Sequence, residues 1–209
     1  TNSNSPVAKP FYSPETRMDA LKQAAITFSN MVLSSNSNNR VAVVQYDGPS
    51  TTNGSGNQNQ ASLTQNFTNN INNVSNAING LNPVNGTNTQ AGLIAGYNAF
   101  TNANPQNPTS KKVAILFTDG LPTASNGYQY NESTNPNTIH YTNAINAATN
   151  LKNYGSLFSI GLTTGMTGDE LTAARYFLNQ TQNAGFYEAP TAAQLQTIFN
   201  SIYTQINNY

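Results

Sequence analysis

Val113-Ala114-Ile115-Leu116-Phe117-Thr118-Asp119-Gly120 runs five apolar residues into a threonine, an acid and a glycine. Lys111 and Lys112 precede it and Leu121-Pro122 follows. A short unbroken apolar run between polar and turn residues predicts a strand buried on both faces, the pattern of parallel sheets. Asp119 then falls at the carboxyl edge of such a sheet, where open α/β folds hold their ligands. Asp-Gly also starts ordinary turns, so the rest of the chain decides between the two readings.

Upstream, Ser13-Pro14-Glu15 opens a helix: a capping hydroxyl, a proline suited to the first helical position, and an acid at the positive end of the dipole. Met18, Leu21, Ala25, Phe28 and Val32 continue it at spacings of three and four. Arg40 to Tyr46 reads as the next strand. Asp47 to Ser62 is rich in Gly, Ser, Asn and Gln and is expected to be a mobile surface insertion. Phe67, Ile71, Val74 and Ile78 predict a second helix closed by Gly80, and Thr89 to Phe100 a third with Leu93, Tyr97 and Phe100 inward.

Downstream, Gly120 to Thr138 is a long polar loop carrying Tyr128 and Tyr130. Ile139 to Asn153 reads as helix, Leu157 to Gly161 as strand, Asp169 to Leu178 as helix and Phe186-Tyr187 as a short strand. Leu195, Ile198, Phe199, Ile202 and Ile206 mark a closing helix. Strands alternating with helices imply right-handed βαβ units: a three-layer, doubly wound, mainly parallel sheet flanked by helices, in one domain over residues 1–209.

Composition narrows the function. Among 209 residues the formal net charge is zero and only 8% are charged, so no basic face offers itself to nucleic acid or a membrane surface. Without cysteine there is no disulfide, thiolate metal site or thiol nucleophile. No stretch approaches the roughly 20 apolar residues of a membrane span. The chain starts without a methionine or signal peptide and is expected to be a processed or excised domain, its amide-rich surface suited to an extracellular setting.

Three polar patches should gather at one edge of the sheet: Thr1-Asn2-Ser3-Asn4-Ser5, Gly86-Thr87-Asn88-Thr89 and Thr118-Asp119-Gly120. All offer hard oxygen donors, the chemistry of Mg²⁺ or a similar cation. With these residues in view, the sequence resembles the von Willebrand factor type A domain. The metal-ion-dependent adhesion site of that family combines D-x-S-x-S, a later threonine and the aspartate of a T-D-G turn. Ser3 and Ser5 match the serines, Thr87 the threonine and Asp119 the aspartate. Arg17 to Lys22, Val41 to Tyr46, Ala91-Gly92-Leu93, Phe158 to Leu162 and Ala193 to Phe199 also resemble family segments in order and spacing.

Two departures stand out. The leading aspartate of the family falls on Thr1, which either replaces it or stands where upstream residues would supply an acid. The first, central strand of the family is not found in residues 1–209, implying a shortened record or a strand supplied from elsewhere, since its absence would leave two apolar edges.

The resemblance implies a non-enzymatic adhesion module of the kind found in Gram-positive surface adhesins and pilus tip proteins, at the cell surface and within a larger protein. Ser3, Ser5, Thr87 and Asp119 would hold Mg²⁺ (or Mn²⁺ or Ca²⁺), which engages a carboxylate of a protein or matrix partner. Gly120, Tyr128 and Tyr130 would lie near that ligand, the two tyrosines as contacts or simply packing the loop down. The alternative is a structural domain with a degenerate, metal-free site, serving as spacer or assembly contact. His140, the only histidine, is expected to be solvated or capping; with no G-x-S-x-G elbow, it makes a weak case for hydrolysis. Asp47, Asp119 and Glu132 show no glycosidase-like spacing.

Overall fold

The computed structural model describes residues 14–49, 54–82, 86–103 and 108–207. Ser3, Ser5 and the expected cap Ser13 lie outside these residues. The helices are α1 (Pro14–Ser35), α2 (Ile71–Asn79), α3 (Thr89–Thr101), α4 (Ile139–Tyr154), α5 (Gly168–Gln180) and α6 (Leu195–Asn207), and the strands β1 (Val41–Tyr46), β2 (Ala61–Thr68), β3 (Val113–Thr118), β4 (Ser156–Gly161) and β5 (Gly185–Glu188).

β3, β4 and β5 form the expected parallel sheet, with Val113 opposite Ser156 and Phe158 opposite Gly185. Its two faces carry two apolar cores. Leu116 and Leu157 pack with Leu93 of α3, Tyr141, Ala148 and Leu151 of α4 and Phe177 of α5. Phe158 and Ile160 pack with Ala24 of α1 and Leu195, Phe199 and Ile202 of α6. This is the three-layer arrangement, with the crossover helices α4 and α5 on the first face and α1 and α6 on the other.

Part of the sheet differs from expectation. β1 pairs antiparallel with β2, and among the described residues this pair is a separate two-stranded sheet. Phe67, expected in a helix, lies in β2 with its ring 5.3 Å from that of Phe100. The helix begins only at Ile71, where Asn70 Oδ1 accepts from the Asn72 amide at 2.9 Å. The expected mobile insertion is also corrected: Asn57 caps a 3-10 turn at Gln58–Gln60, β2 starts at Ala61, and residues 54–56 bond to the 120–138 loop.

Leu162 N donates to Thr118 O and Ser156 N to Lys112 O. The even-numbered peptides of β3 therefore face β4, and those of Val113, Ile115 and Phe117 face away. On that side Tyr46, ending β1, donates its phenol to the Phe117 carbonyl at 2.7 Å. The two sheets are thus joined at their carboxyl ends by a side chain where no described backbone pairs them.

With so few charges, the lysines have a consistent use. Lys22 Nζ donates to Asn79 O at 2.9 Å and Lys152 Nζ to Gln180 O at 2.8 Å, each capping the last carbonyl of another helix. A cation there complements the negative end of the helix dipole.

Candidate metal centre

Thr87 is fixed from two sides. Asn88 N donates to Asp47 O at 2.8 Å and Gly86 N to Gly48 O at 3.3 Å, which ties the segment to the end of β1. From the other side Thr123 N and Ala124 N both donate to Thr87 O, at 3.0 and 3.2 Å, and the Thr87 amide donates to Thr123 Oγ1 at 2.8 Å. Its main chain is clamped, while no hydrogen bond among the described residues engages its hydroxyl.

Asp119 follows β3 directly and is exposed. Thr118 Oγ1 donates to Gly120 O at 2.8 Å, closing the turn tightly beneath it. A Cβ added at Gly120 would lie 3.2 Å from Thr87 Oγ1. The fold therefore brings the Thr87 hydroxyl against the Asp119-Gly120 turn at the carboxyl edge of the sheet. Among the described residues no lysine or arginine pairs with Asp119.

An exposed unpaired carboxylate beside a free hydroxyl suits a hard cation. No group of three or more His, Cys, Asp or Glu gathers among the described residues, so an ion here would depend on hydroxyls and water beside Asp119. The donors that are present fit; Ser3 and Ser5 lie outside the described residues.

Asn88, which the sequence reading passed over, organises this corner. It is fully buried, its Oδ1 caps α3 by accepting from Ala91 N at 3.1 Å, and its Nδ2 donates to Asn57 O, Gln60 Oε1 and Asn126 Oδ1 within 3.3 Å. One side chain thus holds the helix start, the 54–60 segment and the 120–138 loop together. An asparagine before a helix signals a cap, but its second set of partners is not readable from sequence.

The loop is zipped to that segment by Gly56 N to Tyr128 O, Gly127 N to Gly56 O and Tyr130 N to Gly54 O, each 2.8 Å. Gly127 takes φ +83°, where a side chain would be strained. Tyr128 is 46% exposed, whereas the Tyr130 ring lies against Gly86 and its hydroxyl donates to Glu132 Oε1. Tyr130 packs the loop beside Thr87, and Tyr128 is the one left free to meet a ligand.

The expectation for His140 is corrected. It is 2% exposed, and its Nδ1 lies 3.0 Å from Oγ of the fully buried Ser125. Desolvation pulls its pKa below the ordinary value, opposed by a hydrogen bond to the Gln129 carbonyl. The serine and histidine are buried, and their contact ties the loop to α4.

A parallel α/β sheet with an oxygen-rich carboxyl edge defines a class of ligand-binding domains, and comparison with known proteins narrows it. The sequence profile of the von Willebrand factor type A domain matches residues 2–121, more than half of the chain. The chain belongs to this family.

Solved structures agree on the fold. The von Willebrand domain of the type V pili tip protein Mfa5 from Porphyromonas gingivalis is 18% identical, with 92% of this chain and 89% of that one covered and a TM-score of 0.72. The pilus adhesin SpaC from Lactobacillus rhamnosus GG in its open conformation is 15% identical over 93% of this chain, with a TM-score of 0.70. The PilB minor pilin of Streptococcus sanguinis is 18% identical over 91%, with a TM-score of 0.67. The match spans 28% of SpaC and 54% of PilB, so in these proteins the similar region is one part of a longer chain. No curated protein matches the sequence.

Proposed function

We propose that this domain is a non-enzymatic adhesion module, part of a larger extracellular surface or pilus protein, that engages a carboxylate of a protein or matrix partner through a divalent cation. Asp119 and Thr87, with Ser3 and Ser5, would hold Mg²⁺ or a similar ion. A cation held by few carboxylates keeps positive charge and attracts an acidic group from outside. The observation that carries this reading is the juxtaposition of the Thr87 hydroxyl and the Asp119-Gly120 turn, 32 residues apart in sequence by their numbers, with no competing side-chain partner for either among the described residues. The pilus proteins among the similar structures support the setting, and exposed Tyr128 supplies an aromatic contact beside the site.

A second reading is favoured by Thr1, which stands where the family's leading aspartate would fall: a degenerate site in a domain that acts as spacer or assembly contact. Calorimetric titration of chelator-stripped protein with Mg²⁺ and then Mn²⁺, beside Asp119→Ala, decides between them. The expected result is saturable one-site binding that the substitution abolishes. Absence of binding in both proteins would establish the second reading.

A further inference from the structure

The 120–138 loop reaches Thr87 at one point and α4 at another, with almost no chain between. Thr123 and Ala124 hold the Thr87 carbonyl, and the next residue, Ser125, carries the hydroxyl that meets His140. Ala124 and Ser125 are fully buried. Asn143 Nδ2, one turn further along α4, donates to Ser125 Oγ at 3.2 Å.

These partners fix a single direction of donation. Because Ser125 Oγ accepts from Asn143 Nδ2, its own hydrogen is directed to His140 Nδ1, which accepts it in the neutral ring. A protonated ring would turn a donor toward Ser125 Oγ, and the serine hydrogen would lose its acceptor. A buried group left unpaired in this way is costly.

We propose that neutral His140 is a positioning residue for the candidate metal centre, pinning Ser125 to α4 so that the adjoining Thr123 and Ala124 hold Thr87 against the Asp119-Gly120 turn. Protonating His140 releases the pin. The proposal rests on the metal-site reading for its effect on ion affinity, but not for its effect on Thr87 itself.

The surroundings hold few titrating groups besides His140. The loop's one carboxylate besides Asp119, Glu132, is exposed and bonded to Tyr130. α3 and residues 54–60 carry no charged side chain. On α4, neighbouring Tyr141 is bonded to Ser133 O, and Lys152 lies three turns away on Gln180 O. His140 is the only histidine; Asp47, whose carboxyl pKa burial raises and whose carbonyl holds Asn88 N, is the other titrating group beside Thr87, and its contribution persists in His140→Asn, so that variant separates the two.

The test follows the amide resonances of Thr87, Thr123 and Ala124 by ¹H–¹⁵N NMR from about pH 7.5 to about pH 5.5, a window above ordinary carboxylate titration. Wild type is expected to show a shared transition with its midpoint below that of a free histidine. His140→Asn, which keeps an acceptor near the Nδ1 position without a titrating ring, is expected to hold the neutral positions throughout. Ser125→Ala guards against poor folding of that variant and is expected to uncouple Thr87 from pH. A Thr87 amide indifferent to pH in wild type, or the same transition in His140→Asn, overturns the proposal.

Mn²⁺ calorimetry at the two ends of the range adds the ion: a several-fold loss of affinity at the acid end is expected in wild type only. Should no ion bind at either end, the metal reading fails while the amide transition still decides the pin.

Discussion

Tyr46 Oη donates to the carbonyl oxygen of Phe117 at 2.7 Å, joining the end of β1 to the edge of β3 that no strand pairs among the described residues. The ring lies against Gly92 of α3, where an added Cβ would come within 2.7 Å of it, so the phenol is aimed by packing. Desolvation raises its pKa well above the ordinary value, with Thr118 and Thr89 favouring ionisation and the charge of Asp119 opposing it. The group is a fixed neutral donor at any physiological pH. Tyr46→Phe keeps the ring and strands the Phe117 carbonyl, and should cost about 1–2 kcal/mol in urea unfolding. A midpoint and slope equal to wild type would show that the contact contributes nothing.

Gly48 allows the main chain of β1's end to lie on Thr87. A Cβ there would fall 2.7 Å from Thr87 N and 2.8 Å from Gly86 C, both backbone atoms that no side-chain rotation can clear. Gly48→Ala is therefore expected to push Thr87 from its clamp, costing about 1–3 kcal/mol by the usual penalty for overpacking. It should also weaken any Mn²⁺ binding. Paired thermal denaturation and calorimetry check both effects, and an alanine variant with wild-type stability would contradict the close approach.

The core strands, most of the helices and the approach of Thr87 to the turn after β3 were legible because each has a local signature. The Val113 run announces a buried strand, and G-T-N-T and T-D-G announce polar turns at its edge. β2 was not legible. No residue of Ala61 to Thr68 is fully buried, and Phe67 falls four residues before Ile71, mimicking helical periodicity. Asn70, capping the true helix, was the available signal. Residues 54–60 looked mobile because backbone hydrogen bonds to the 120–138 loop hold them, and these leave no mark in residue identity. His140 was misread for a related reason: its partner, Ser125, lies in a loop whose path sequence does not give.

Phe177 tests the face of the sheet that carries α4 and α5. It is 1% exposed, and its ring stands edge-on to fully buried Tyr141 with centroids 5.6 Å apart. Phe177→Ala removes the ring from a core that cannot readily collapse around it, and should cost about 3–5 kcal/mol. Phe177→Leu should cost less by preserving most of the volume. Chemical denaturation of both variants gives the ranking, and equal losses would point away from cavity formation as the cause.

The pH dependence of stability follows from His140 and Asp47. Burial lowers the pKa of His140 in the folded protein, so below about pH 6.5 the unfolded chain binds the proton more readily and folding weakens. That contribution is fully present above about pH 6.5 and is lost as pH falls toward the lowered folded value. Asp47 acts with the opposite sign: burial raises its carboxyl pKa, so its contribution favours folding at acid pH and is lost as pH rises from the unfolded carboxylate value, about 3.9, through the raised one. Near neutrality the histidine governs. Wild type should thus lose stability between about pH 7 and about pH 5.5, and His140→Asn should lose markedly less over the same interval. Urea midpoints at the two pH values measure the difference directly. Parallel slopes for the two proteins would mean that His140 titrates alike in the folded and unfolded chains, contrary to its burial against Ser125.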